Sequence, residues 1–448
     1  MLTIPQALDR LDTILSAART AGADAADALY AGDASTSISV RLGALEDVGR
    51  SEGEELGLRV FIGQRSASVT TSDLSPNALR EAAERAVAMA RLAPEDRYAG
   101  LAPEDLLLKS APAELDINDP VDLPSEQLRA LALAAEDAAR AVPGVSNSEG
   151  GGAAQGRANT ALATSTGFAA GRASSSYSLS ASVIAGEGAD MQRDYAWASA
   201  RHFADLESAD TIGTRAGSRA TRRLNPIKLE TAQLPIVFDP RVSASLIGHL
   251  ISAITGSSIT RGTSFLKDKM GQRLFGTSIH IIDDPLRPRG LRSRSFDGEG
   301  LPTRRLALIE DGVLTSWLLD AASARQLGLA PTGHASRGTS GPPGASASNL
   351  HMAAGTLSPA ELIADIKRGV LVTELIGMGV NGLTGDYSRG AAGFLIENGE
   401  VTVPVAEITI AGNLNDMFMA LTPANDLAFR HASNAPSLRV EGMTVAGA

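Results

Sequence analysis

Apolar side chains near the start of the chain fall at Leu8, Leu11, Ile14, Leu15 and Ala18, a spacing that lines one helix face and stops near Gly22. The period then shortens. "STSISVRLG" and "LGLRVFIGQRSASVTTSDL" alternate like strands, the second as two strands joined at Gly63-Gln64-Arg65. A second helix opens after Ser75 with Pro76 in its first turn and runs to Pro94, where a Pro-, Asp- and Glu-rich connection begins and extends to Pro124. "SEQLRALALAAEDAARAV" predicts a third helix, ended by Pro143-Gly144. Beyond it, Tyr177, Val183, Tyr195 and Trp197 alternate with small polar residues, which predicts antiparallel strands. "LPIVFD" is a strand followed by a helix that opens at Asp239-Pro240, and "TSIHIIDD" is a further strand. Asp311-Gly312 and Asn398-Gly399 suit type I′ hairpin turns. Between them, Ser358, Pro359 and Glu361 signal a capped helix that runs to Gly369. Strands and isolated helices mix without strict alternation, so the predicted fold class is α+β.

Composition narrows the function. The 448 residues suffice for two or three domains, with 44% hydrophobic and only 4% aromatic residues, so core bulk must come from Leu, Ile, Val and Ala. A net charge of -11 argues against direct contact with a nucleic-acid backbone. The basic runs Thr214–Pro226 and Pro285–Ser295 read as solvated loops. With no cysteine there is no disulfide, thiolate metal site or thiol nucleophile. The opening residues form an amphipathic helix and no signal peptide, no long uncharged apolar run predicts a membrane span, and the cytoplasm is the expected compartment.

No motif found by inspection is complete. "GMGVNG", Gly377 to Gly382, matches G-x-G-x-x-G, but a dinucleotide site needs a helix to open at the third glycine, and "LTGDYSRGAAGF" follows instead. The segment is a glycine-rich loop whose polar members Asp386, Tyr387, Ser388 and Arg389 are candidates for contact with a ligand or partner. "SFLK" places Ser264 and Lys267 in an S-x-x-K pattern, without the companion S-D-N and K-T-G motifs. None of the six histidines stands three or four residues from another, so no helix presents a metal-binding pair, and His249 on an apolar helix face is expected to be packed.

Four longer segments together carry a resemblance: "ELGLRVFIGQRSASVTTSDLS", "RDYAWASARHFADL", "ITRGTSFLKDKMGQ" and "GVNGLTGDYSRGAAGFLIENGEVTVPVAEITIAGNLNDMF". In this order, across almost the whole chain, they resemble the TldD/PmbA family of metallopeptidases and gyrase-linked proteins. The resemblance implies an N-terminal α+β region over 1–110, a strand-rich segment over 111–224 and a mostly β, metallopeptidase-like domain with a peptide groove over 225–448. TldD-type members carry an H-E-x-x-x-H zinc helix and a cysteine ligand, which PmbA (TldE)-type members lack. Aligned on the following Gly-Thr-Ser, the motif positions here are Ile247, Gly248 and Ser252; starting from His249 they become His249, Leu250 and Ile254. Neither register supplies the donors zinc needs. The expectation is a PmbA/TldE-type, non-catalytic subunit with no metal and no cofactor of its own. Zinc is expected in a TldD-type partner, the substrate is an unfolded or extended peptide, and a homodimer is possible for the isolated chain. Arg261, Ser264, Asp386, Tyr387 and Arg389 are the groove candidates. A gyrase-linked binding protein and a self-sufficient peptidase using Ser264 and Lys267 are the alternatives.

Overall fold

The computed structural model describes residues 1–447 and is α+β, as the hydrophobic pattern predicts. Its first half is built twice from one plan, a helix, three strands and a helix. The first unit is α1 (Ile4–Ala21), β1 (Ala25–Arg41), β2 (Ala44–Ile62), β3 (Arg65–Thr71) and α2 (Pro76–Leu92). The second is α3 (Ser125–Arg140), β4 (Val145–Thr164), β5 (Ala169–Ala185), β6 (Gln192–Ala200) and α4 (Ala209–Arg222). Local chemistry fixes the ends of these elements. Thr3 and Gln6 form a capping box on α1, and Gly22 closes it in the left-handed region with φ 101°.

The six strands form one antiparallel sheet in the order β3-β2-β1-β4-β5-β6. The units therefore meet at β1 and β4, where Asp27 faces Thr164 and Val40 faces Gly151. Alternation sorts the faces. Ala28, Tyr30, Ile38 and Val40 of β1 turn toward the four helices, whereas Leu29 joins Leu162 and Phe168 on the other face, against Phe296, Leu301 and Ala321 of the C-terminal domain.

The C-terminal domain closes a small barrel. β7 (Ala232–Phe238), β8 (Arg368–Ile376), β9 (Asp386–Glu397), β10 (Glu400–Asn413) and β11 (Leu438–Ala446) pair in the order β10-β9-β8-β7-β11. β11 then pairs back onto β10 through Ala446–Thr409 and Thr444–Ala411. Closure removes the free edges. α5 (Pro240–Ile254) follows β7; Asp239 caps it by accepting from the Arg241 N–H, and Leu246, Ile247, Leu250 and Ile254 bury in the domain's core. Truncating a fully buried leucine such as Leu250 to alanine costs about 2–5 kcal/mol. α6 (Gly256–Thr260) continues the chain.

Several expectations are corrected. β1 and β2 extend beyond the predicted runs: β1 adds the largely buried stretch Ala25–Ala34, where buried residues follow one another without alternation, and β2 adds Ala44–Glu55, which is largely exposed and carries no apolar stripe. The run Thr214–Pro226 is largely helix α4, which Ser208 caps, and not a loop. The helix at Ser358 has its capping box but spans only Pro359–Ile363; Gly369 lies in β8, where an added Cβ would meet the Pro235 carbonyl at 2.9 Å. "TSIHIIDD" contributes a strand only at Ile281–Asp283. Both predicted hairpin turns have two left-handed residues, with φ 48° and 77° at Asp311-Gly312 and 49° and 82° at Asn398-Gly399. Among the described residues no helix is long and apolar enough to cross a membrane.

Candidate functional site

A cavity of about 1000 Å³ opens where β6 and α4 face the barrel and the first turns of α5. Its volume is at the upper end of the range for ligand sites. One wall is β6, the edge strand of the six-stranded sheet, which presents Arg193, Tyr195 and Trp197 outward. Trp197 remains 43% exposed and meets His431 in a tilted arrangement with ring centroids 4.4 Å apart. The opposite wall holds Arg241, Val242 and Ser245 of α5 and Arg389 of β9.

Arginines dominate the cavity, and the sequence explains how α4 delivers them. Arg215, Arg219 and Arg223 recur every four residues and share one face. Asp194, only 2% exposed, organises the group. It accepts two hydrogen bonds from Arg241, at 2.8 and 3.1 Å, one from the Tyr195 N–H at 2.8 Å, and lies 3.4 Å from Arg223. Arg223 also pairs with Glu374 of β8. Burial opposes ionisation of Asp194, but the hydrogen bonds and charge of Arg241 outweigh it and hold the carboxyl below the usual range. This network ties sheet, helix and barrel together. Arg219 instead donates to the Tyr195 carbonyl at 3.1 Å, and burial together with Arg241 lowers its pKa. Arg219, Arg389 and Arg430 have no carboxylate partner among the described residues, so the cavity keeps a positive surplus.

One helical turn beyond Ser245, His249 meets the edge of the Tyr387 ring, with centroids 5.9 Å apart. The Tyr387 hydroxyl and the Arg389 guanidinium face one another without a well-formed hydrogen bond. His249 Nε2, the Tyr387 hydroxyl and Arg389 Nε are all buried without a partner. Burial, then the charge of Arg389, lowers the His249 pKa; burial pushes the Tyr387 hydroxyl up to about 12. Near neutral pH the trio is thus an imidazole biased to its neutral form, a phenol and a cation. It favours donation to an oxygen acceptor, and Arg389 repels a second cation.

The metal-helix positions behave differently. Ile247 is in the core, and Gly248 is exposed with open space above its Cα. Ser252 is exposed and donates its hydroxyl to the Gly248 carbonyl at 3.0 Å. In the other register Leu250 and Ile254 are core residues. A side chain of isoleucine or glycine has no donor atom, so these residues do not fit a catalytic zinc. Among the described residues no group of three or more His, Asp or Glu could hold a metal ion.

The remaining groove candidates divide. Tyr387 and Arg389 share the α5-facing side of β9. Asp386 lies on the opposite side, where its carboxylate accepts from the Thr384 hydroxyl and, at 3.0 Å, from Asn413. Arg261 is exposed after α6. Ser264 is buried in a turn, its hydroxyl accepting from the Leu266 N–H at 3.0 Å, while Lys267 is exposed; no helix joins the two and no hydrogen bond links their side chains. This loop touches the glycine-rich loop through the Phe265 N–H and the Gly382 carbonyl at 2.8 Å. Within that loop Gly379 is required, because a Cβ there would overlap the Ser388 carbonyl at 1.6 Å. Sequence reasoning missed Asp194, Arg219, Arg241, Arg430 and His431. The four-residue spacing of the α4 arginines was the one available signal.

Comparison with known proteins gives this architecture its context. Family models described as PmbA/TldA metallopeptidase domain 1, central domain and C-terminal domain match residues 26–90, 118–224 and 231–447. The metalloprotease PmbA of Escherichia coli O157:H7 is 38% identical over 426 residues, 95% of this chain and 92% of its own. A PmbA homologue from Haemophilus influenzae is 36% identical, covering 92% of this chain and 90% of its own. A Bacteroides thetaiotaomicron crystal structure, named as a candidate modulator of DNA gyrase, superposes with a TM-score of 0.92 at 28% identity over 100% of both chains. TldE of Thermococcus kodakarensis shares the fold, with a TM-score of 0.84 at 22% identity over 98% of this chain and 100% of its own. The chain belongs to the PmbA/TldD family of metalloprotease-like proteins.

Proposed function

We propose that this chain is the non-catalytic, PmbA/TldE-type subunit of a two-chain metallopeptidase that works on unfolded peptides in the cytoplasm. A TldD-type partner supplies the zinc, and this chain supplies a wall that holds the substrate extended. One observation carries the reading: the helix face that would present metal ligands offers Ile247, Gly248 and Ser252, while a peptide-sized cavity stands beside the same helix. β6 is the strand on which a peptide can add. Its outer backbone groups are not used by the sheet, and main-chain pairing ignores side-chain identity. Arg389, which lines the cavity in front of the buried His249 and Tyr387, would then hold a peptide carbonyl or carboxylate oxygen, and Trp197 with Tyr195 would cover the strand's apolar side chains.

The test is co-expression with a TldD-type homologue, followed by size-exclusion chromatography and a peptide-cleavage assay. The pair should co-elute and cleave, a chelator should abolish cleavage, and this chain alone should be inert. Cleavage by this chain alone, unaltered by a chelator, would overturn the reading; loss of that cleavage in Ser264→Ala would assign it to Ser264 and Lys267.

A further inference from the structure

A second cavity, of about 450 Å³, lies between the sheet, at Thr160 of β4 and Arg172 and Ser174 of β5, and the C-terminal domain. Four arginines line it: Arg172 of β5, Arg201 just past β6, and Arg292 and Arg294 of the loop Pro285–Ser295. No aspartate or glutamate lines it. Arg292 is exposed at the mouth, and the other three are partly buried.

Their bonding leaves charge unspent. Arg201 donates to the carbonyls of Ser175 and Leu291, and Arg294 to that of Ser346 at 2.9 Å, yet the buried Nε of each has no partner. Arg172 lies 5.6 Å from the centroid of the Phe296 ring and makes no side-chain hydrogen bond or ion pair among the described residues. Burial, then the like charges of Arg294 and Arg201, pushes its pKa down to about 10. Two acids outside the lining, Asp297 and Asp283, partly offset the burial of Arg294, but both are engaged elsewhere. Asp283 is taken by the Ser348 N–H and hydroxyl, at 2.6 and 2.8 Å, and lies 3.2 Å from His334; Asp297 accepts the N–H groups of Glu299, Leu301 and Ala335. Clustered, partly desolvated guanidinium groups with no carboxylate in the cavity lining repel one another, and such an arrangement is stabilised when an anion completes it.

We infer that this cavity binds a multiply charged, phosphate-bearing anion, held by Arg172, Arg201 and Arg294, admitted past Arg292, with the free hydroxyls of Ser174 and Ser336 in reach of its oxygens. Guanidinium forks match tetrahedral oxyanions in pairs of hydrogen bonds, and a phosphate places two charges and three acceptor oxygens on one centre where a carboxylate places one charge and two. The volume exceeds that of a lone phosphate, leaving room for pyrophosphate or the phosphate end of a larger molecule.

The experiment is a thermal-shift and calorimetric titration of the full chain with inorganic phosphate, pyrophosphate, ADP and citrate at matched ionic strength. Pyrophosphate should raise Tm and bind at least tenfold more tightly than citrate. Arg172→Gln should weaken pyrophosphate about tenfold without lowering the Tm of the free protein, since that side chain bonds to nothing it would release. Arg292→Gln, at the exposed mouth where folding is not at stake, should weaken it about threefold. Binding of ADP more tightly than pyrophosphate would identify a phosphorylated small molecule as the source, and the reverse order a free phosphate; both support the site. Absence of any phosphate-specific shift, an unchanged response in both variants, or citrate binding as tightly as pyrophosphate would overturn it.

Discussion

The two cavities lie along the same junction between sheet and C-terminal domain, and both are walled by arginine, but their charges are balanced differently. In the larger, Asp194 and Glu374 engage Arg223, and Asp194 also engages Arg241, so part of the basic wall is a tie between domains. In the smaller, four arginines line the space, one of them exposed at the mouth, with no acid among them. A count of arginines would rank the larger cavity as the anion site. Counting only those without a partner reverses the ranking, because a paired guanidinium has already spent its charge on the fold.

The contrast sets an order of expected effects. Asp194→Ala should be the most damaging change: it strips Arg241 of its carboxylate and Arg223 of one of two, and should lower unfolding free energy by about 3–5 kcal/mol in urea denaturation. A loss below about 1 kcal/mol would mean that the pairing at the larger cavity is not structural. Next comes acid. Because the folded-state pKa of Asp194 is depressed, its contribution is present above the ordinary carboxylate range and lost as pH falls through and below it. Wild type should therefore lose stability below roughly pH 4, and Asp194→Asn, less stable at neutral pH, should show a flatter acid limb. Trp197→Ala should leave Tm within about 2 °C and, in the proposed two-chain enzyme, raise the KM for peptide several-fold with kcat little changed, the pattern of lost uniform binding. The smallest effect is assigned to Arg172→Gln, which should shift the free protein's stability by less than about 0.5 kcal/mol. A large destabilisation there would erase the distinction between the cavities.

Much of the fold could be read from periodicity. α1, α2, α3 and α5 carry clear apolar stripes, and the Asp-Gly and Asn-Gly turns announced themselves by chemistry. What escaped was amphipathic in a different sense. α4 buries Ile212 and the small residues Ala216, Gly217 and Ala220, with Gly217 close to the Ala139 carbonyl, so the helix is polar on the whole and its arginines dominate the reading. The outer half of β2 is solvated, and the inner half of β1 is buried on both faces; both lack the alternation that marks a half-buried strand. The candidate site was legible where residues are close in sequence, as with Tyr387 and Arg389. It was not where β6, α4, β8 and the His431 loop converge, because Asp194 meets Arg241 only through the tertiary fold.

The meeting of β1 with β4 governs how the molecule can assemble. Everything β1 needs on one side is at hand once β2 and β3 have been made, but its other side waits for a strand that emerges from the ribosome only after α2, the connection and α3. During that interval the first unit carries an unsatisfied edge, softened by Ser35, Ser37 and Ser39 along its outer half. A chain halted after Leu92 would offer that edge to whatever strand arrived first, a second copy of itself included.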